Sequence, residues 1–410
     1  MAFPMRVRLL LTAALLGTGG CLSPADPSSG DVAAVRVTIG DGGFAADTVQ
    51  VRATTRVHAA AIAPAGYDLG LTGFTYTSSN SGVASVDENG TVRGVAPGSA
   101  TITATAPKGG KSASVAVLVV PSTIAYTINV GGSPGSIAFS TDYTRAYVAT
   151  ATDSLVVIDA LGFFRTNVAP IGASASSIAA TSGEIYITHA SLDSVTRVTT
   201  GSSQRLPRVF IGAGPGGVVA IGSRAYVAAR YDRRIAVVEA GAVAGAILLA
   251  GEPHQLALNR DASRLFATID AGAAGWRVAI VRPASTDTAG SFAIAPAPTA
   301  LAASATGDRV YVLYAAERLV RVYASGANGG YTLQGTVATG ATPGGVAARH
   351  VGRVPYVVVS GEPATVFDGV TLEVYDRVAG AGIGPVAIRP DGLFAFVAAT
   401  GTNAVNVLGL

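Results

Sequence analysis

The sequence predicts an all-β protein in two parts, a β-sandwich followed by a seven-bladed β-propeller. Three observations carry that expectation. Apolar and polar residues alternate with period two in short runs, as in strands that bury one face. Glycine (51) and proline (20) punctuate the 410 residues at close intervals, as turns between short strands require. A unit of about 40 residues then recurs over 122–410, the length of a four-stranded propeller blade.

Composition narrows the function classes. With 49% apolar and 13% charged residues the chain is not disordered. Lys and Arg number 28 against 25 Asp and Glu, a net charge of +3, and the only two lysines, Lys108 and Lys111, form no basic stripe. No nucleic-acid partner is therefore expected. A single cysteine excludes an internal disulfide, a Cys-ligated structural zinc and a c-type haem attachment, and no cofactor or metal is expected.

The chain begins with Arg6 and Arg8, an apolar run Leu9 to Leu16, and small residues Thr18, Gly19 and Gly20 before Cys21. The apolar run is too short for a bilayer, which needs about 20 residues, so 1–20 reads as a cleaved export signal. The segment resembles a bacterial lipoprotein signal, although Thr18 stands where that family usually has Leu. The resemblance implies lipid attachment at Cys21. Leu22 after it favours the outer membrane, so a cell-envelope location is expected, periplasmic or surface-exposed. Residues 21–31 are rich in Pro, Ser and Gly and read as a tether. The apolar run 240–251 is too short to span and falls in register with the strand repeats.

Residues 32–121 alternate at Val35–Ile39, Thr48–Val51 and Ala100–Ala104, with turn signals at Asn80-Ser81-Gly82, Asp87-Glu88-Asn89-Gly90 and Ala96-Pro97-Gly98. About ninety residues of short strands suit a sandwich. The series Tyr76-Thr77-Ser78-Ser79-Asn80, Val83–Asp87, Asn89–Val92, Gly94–Gly98 and Thr101–Ala104 resembles the bacterial Ig-like group-2 domain, with Tyr76 in place of its usual Trp. The resemblance implies a spacer or adhesive stalk without catalytic residues.

Over 122–410 a Gly/Pro turn and a small-apolar strand recur with equivalent positions at 134, 175, 215, 253, 298, 343 and 383. A second strand follows each turn, centred on Tyr147, Tyr186, Tyr226, Phe266, Tyr311, Tyr356 and Phe396. The chain stops after the seventh third strand, Ala404 to Leu410, while Ile124 to Val130 is an orphan strand before the first turn. Pairing the two would close the ring and remove its open edges. Ala146–Thr150 and Ala225–Ala229 make the repeat similar to the YVTN family, which implies a fold more than a function.

Chemistry is sparse. Gly212-Ala213-Gly214-Pro215-Gly216-Gly217 matches GxGxxG, but Val218–Ile221 after it reads as a strand, so a blade turn is expected and not a dinucleotide site. The histidines His58, His189, His254 and His350 have no paired spacing. In a propeller the turn before the innermost strand and the loop between second and third strands share a face. That face is expected to carry His189, Arg230, Arg233, Arg234, His254, Gln255, Asp270 and Trp276, with Glu362 and Asp368 on the excursion 360–371. Asp153, Asp193 and Asp232 hold similar loop positions and read as turn residues.

Three classes of function compete. The first is a lipid-anchored binding protein presenting this face to a glycan or protein. The second is a hydrolase, since YVTN-like propellers resemble the seven-bladed lactonase family; His254 and Arg230 are the nominees, and no catalytic residue carries over. The third is an accessory lipoprotein of an envelope assembly. The first explains every segment and is the expectation taken forward, a non-enzymatic one.

Overall fold

A computed structural model of the chain describes residues 31–39, 48–50, 54–95, 98–120, 123–172, 175–348 and 355–410. The expected export signal, Cys21, the tether to residue 30 and His350 lie outside the described residues. The chain divides into two compact units, one drawn mainly from residues up to Val117 and the other mainly from Leu118–Leu410.

Over 34–120 the strands form two four-stranded sheets. One orders Ala34–Ile39, Thr54–Ile62, Thr91–Gly94 and Ala84–Val86; the other orders Thr48–Gln50, Ser112–Val120, Gly98–Thr105 and Thr75–Ser78. Alternation puts Ala61 from the first sheet and Ala104 from the second into one core with Val32, Phe74 and Ala106. The turn at Asp87 is built by its carboxylate, which accepts the N–H groups of Asn89 (2.9 Å) and Thr91 (2.8 Å). Gly90 follows at φ +77°, where a Cβ would lie 2.7 Å from the Val57 carbonyl, so glycine is required there.

Over 124–410 the described residues form seven four-stranded antiparallel sheets, the blades of a propeller. Blade 1 is Pro134–Phe139, Arg145–Thr150, Ser154–Asp159 and Phe164–Pro170, innermost to outermost. Blades 2 to 6 repeat this order over 177–210, 215–248, 252–293, 300–338 and 346–378. The seven aromatics that centre the second strands are all buried, at 4% exposure or less. Each packs into the neighbouring blade. Tyr147 meets Ile178, Ile185 and Ile187 of blade 2, and Phe396 of blade 7 meets Ala146, Val148 and Val156 of blade 1. Burying an apolar side chain of this size contributes about 1.5–3 kcal/mol, and the share that comes from the neighbouring blade is lost in an isolated blade.

In five of the seven blades the hairpin between second and third strands uses one left-handed non-glycine residue. Asp153, Asp193, Arg233, Arg318 and Asn403 have φ of 57°, 49°, 50°, 55° and 53°. Asp and Asn tolerate that region best. In blade 3 the register gives the position to Arg233, so Asp232 stands one residue early and pairs instead with Arg234 at 3.3 Å. That corrects the expected equivalence of the three aspartates.

Blade 7 is completed by the orphan strand. Ile124–Asn129 pairs antiparallel with Ala404–Gly409, setting Thr127 against Asn406 and Ile128 against Val405. Asn406, 6% exposed, accepts the Thr127 hydroxyl at 2.8 Å and donates to the carbonyls of Gly380 (2.9 Å) and Ala381 (3.0 Å). Arg389 of blade 7 donates to the Ala160 carbonyl of blade 1 at 2.6 Å and lies 4.5 Å from the Phe394 ring. Deleting 404–410 removes a central strand and strands Ile124–Asn129, so loss of the cooperative melting transition is expected. Asn406→Ala leaves buried carbonyls unpaired and should cost about 1–3 kcal/mol in urea unfolding; an unchanged midpoint in both variants would contradict closure by this pairing.

Candidate functional site

The loops between second and third strands and the turns into each innermost strand share one face. Backbone bonds join them in blade after blade: Ile171 N–H to Asp153 O (2.8 Å), Ile211 to Asp193 (3.0 Å), Leu249 to Arg233 (2.8 Å) and Ile294 to Trp276 (2.9 Å). The expected candidates divide on this scaffold into three groups.

His254, Gln255, Arg230, Asp270 and Trp276 fall in adjoining blades 3 and 4. The innermost strand of blade 4, Glu252–Leu258, shifts register between Pro253 and Leu256, so His254 and Gln255 occupy a β-bulge. Blades 1 and 3 bulge at the same place, between Pro134 and Ile137 and between Pro215 and Val218. Bulges re-aim a side chain, and here the re-aimed position is Gly135 in blade 1, Gly216 in blade 3 and His254 in blade 4. The two glycines Gly216 and Gly217 allow the strands to approach. A Cβ on either would come within 2.8 Å or 3.0 Å of the His254 carbonyl. The GxGxxG match thus runs into a strand and not a helix, as expected from sequence, but the strand Pro215–Ile221 begins inside the match and not after it.

A hollow of about 180 Å³ opens over these glycines, flanked by Ser176, Ala190, Arg230, His254 and Gln255. The His254 ring lies 4.7 Å from the Trp276 ring at 59°. Among the described residues its Nε2 is buried without a hydrogen-bond partner, and so is Arg230 Nε. Burial and the Arg230 guanidinium hold the His254 imidazole below its ordinary range, against the upward pull of Glu252 and Asp270. Gln255 is exposed and anchored by its N–H to Thr268 Oγ1 at 3.0 Å. Asp270 accepts the Gly272 N–H at 2.9 Å and shapes the turn leading to Trp276. Trp276 also packs on the core between blades 4 and 5.

Two arginines serve the scaffold on the same face. Arg233 is the left-handed turn residue. Arg234 donates to the Ile211 carbonyl at 2.8 Å and holds the turn into its own blade. Glu362, in blade 6, accepts the Gly380 N–H at 2.9 Å and caps the turn into blade 7.

The structure corrects two candidates. His189 is 0% exposed, with Nε2 2.8 Å from Thr196 Oγ1, because it closes the strand Glu184–His189 and turns into its blade. Asp368 is not on this face. The expected excursion contains the third strand Ala364–Asp368, which carries Asp368 to the opposite end of the blade. There it accepts the Tyr375 hydroxyl and the Val370 and Thr371 N–H groups. Burial works to raise its pKa, and these bonds outweigh it and hold the carboxyl below the usual carboxylate range.

One signal for His254 was present in the repeats: its equivalents are glycine in blades 1, 3, 6 and 7 and Ser176 or Thr299 in blades 2 and 5. A larger hollow escaped the sequence reading entirely. It opens on the opposite face, is about 640 Å³ in volume, and includes Asn259, Arg260 and Arg389 in its lining. Among the described residues no group of three or more His, Cys, Asp or Glu is placed to hold a metal, and no helix is long and apolar enough to cross a membrane.

The bacterial Ig-like domain (group 2) family profile matches residues 31–117. Among solved structures, Kuenenia stuttgartiensis hydrazine synthase is similar at 19% identity and TM-score 0.59, over 68% of this chain and 96% of that one. The Cps50 (Swd1) β-propeller domain of Myceliophteria thermophila is similar at 14% identity and TM-score 0.58, over 71% of this chain and 100% of that one. Likeness at such identities shows the fold alone. No curated relative matches the chain by sequence. The family match and the structural likeness agree on an all-β chain with an Ig-like domain and a β-propeller, modules that fit a binding or interaction protein in general.

The depressed His254 pKa has a sign that can be tested. A histidine that is harder to protonate folded than unfolded favours the unfolded state once the unfolded form takes up protons, below about pH 6.5. Its penalty is absent above that pH and grows as pH falls toward the folded-state pKa. The difference in melting temperature between wild type and His254→Gln is therefore expected to shift against wild type between pH 7.5 and pH 5; a pH-independent difference would contradict the burial of Nε2.

Proposed function

We propose that this chain is an exported, lipid-anchored, non-enzymatic binding protein of the cell envelope, its propeller of the YVTN type. The Ig-like module acts as a spacer, and the propeller presents the His254 face to a glycan or protein partner. The hollow between blades 2 and 4 is the observation that carries this reading. It is lined by His254, by a partly buried guanidinium at Arg230 and by an exposed amide at Gln255, and Trp276 backs the His254 ring from outside the lining. Such a set supplies stacking surface and hydrogen-bond donors. Other polar candidates support the scaffold: His189 bonds Thr196, Glu362 caps a turn and Asp368 holds Tyr375. The anchor rests on Cys21 behind its small-residue run and the Pro/Ser/Gly-rich segment after it.

Titration of the purified full chain against oligosaccharides, peptidoglycan fragments and envelope proteins tests the binding face. Trp276→Ala and His254→Ala should each weaken binding at least tenfold, about 1.4 kcal/mol. Indifference of both variants, or turnover of a sugar lactone, would sink the reading. For the anchor, Cys21→Ser should abolish incorporation of labelled fatty acid and move the chain from the membrane fraction to the soluble exported fraction; unchanged labelling would overturn it.

A further inference from the structure

We propose a second binding site, at the channel mouth on the face opposite His254, that takes a small organic anion with an apolar body. It does not rest on the reading of the first face. The innermost strands of six blades converge on this mouth and place Phe139, Ala180, Ile221, Leu258, Ala348 and Ile388 around one hollow of about 640 Å³. Pockets of roughly 300–1,000 Å³ with apolar walls and a few placed polar groups are the usual form of small-molecule sites.

The polar groups at the rim differ in how far they are committed. Asn259 is 2% exposed and fully engaged: its Nδ2 donates to Asp261 (2.7 Å) and Ser263 (3.0 Å), and its Oδ1 accepts the Arg264 N–H (2.9 Å). Ser140 likewise donates to Asp142 at 2.5 Å and accepts the Arg145 N–H at 3.0 Å. Arg389 is 4% exposed and paired with Asp391 at 2.6 Å, so that pair adds no net charge. Arg260 is different. Its backbone N–H is fixed to the Ala305 carbonyl at 3.0 Å, while its exposed guanidinium has no acidic partner among the described residues. Of the charged side chains that line the hollow, Arg260 is the one without an ion-pair partner among the described residues, while the Asp261 carboxylate beside it is held by Asn259 and Ser263.

That arrangement selects for charge and shape together. A guanidinium offers paired donors to a carboxylate or phosphate, and the well accepts hydrocarbon that water would otherwise surround. A cationic ligand would face Arg260 unfavourably, and an inorganic anion would leave the well unfilled. Arg260 positions the anionic head and the six-blade wall takes the body.

The test titrates the full chain with 4-phenylbutyrate, with 4-phenylbutylamine as its cationic counterpart and with inorganic phosphate as a bodiless anion. Saturable binding of the carboxylate is expected, with the other two at least tenfold weaker. Arg260→Ala should weaken the carboxylate tenfold or more, Arg260→Lys less, and Ile221→Trp should block the well. His254→Ala, on the other face, should leave this binding unchanged, which separates it from failure of the first site. Equal binding of carboxylate and amine, indifference to Arg260→Ala, or no carboxylate binding up to 10 mM each overturn the proposal. Melting curves of every variant confirm that a loss of binding is not a loss of fold.

Discussion

The pairing of Ile124–Asn129 with Ala404–Gly409 is the contact on which the propeller depends, because a blade of this sequence cannot bury its own faces. Each second-strand aromatic reaches into the next blade, so the seven inter-blade cores form a circle with no natural first member. An open circle would expose two apolar blade faces and two unpaired strand edges. Closure through strands from opposite ends of the repeat array removes both at once. Asn406 and Arg389 reinforce the seam with buried polar contacts. Loop-closure entropy grows only slowly with length, so joining strands some 280 residues apart costs little more than a short closure.

A closed ring fixes its two faces and lets each blade vary where it meets them. The repeated bulge at the start of the innermost strand is the clearest case. Glycine at that position brings neighbouring strands into contact, while His254 in blade 4 uses the same geometry to present an imidazole beside Trp276. The flanking glycines of blade 3 leave the space that becomes the hollow. On the opposite face the turns between first and second strands are stabilised by Ser140, Asn259 and Ser304, each accepting the N–H five residues on. These turns are rigid without being identical, and Arg260 is one of the differences they carry.

Much of this fold was legible because propeller physics is periodic. Tyr147, Tyr186 and their five equivalents recur at the blade spacing, and the structure buries every one of them. The unpaired strand at 124–130 and the chain end at 404–410 pointed to each other for the same reason: a blade missing its outer strand needs one. The Gly212–Gly217 run was readable as something other than a dinucleotide cradle because it leads into a strand, which begins at Pro215, and such a cradle needs a helix N-terminus. The left-handed hairpin residues were only partly readable, since Arg233 accepts a conformation that residue type alone would have given to Asp232.

The site was harder to read, and the reason is geometric. His189 and His254 look alike in sequence, each near a blade turn, yet one closes a strand and is fully buried while the other sits in a bulge, half-buried beside Trp276 at the edge of a hollow. Asp368 was misplaced because a short third strand carries it across the blade to the other face, where Tyr375 binds it. Local sequence, through alternation, turn residues and the repeat, determined the strands, their number and the ring, because those depend on patterns a few residues to a blade long. Only the tertiary structure decided which polar groups remain uncommitted and which walls meet around a hollow. Those outcomes depend on side chains from several blades converging on one point, a relation no single stretch of the chain contains.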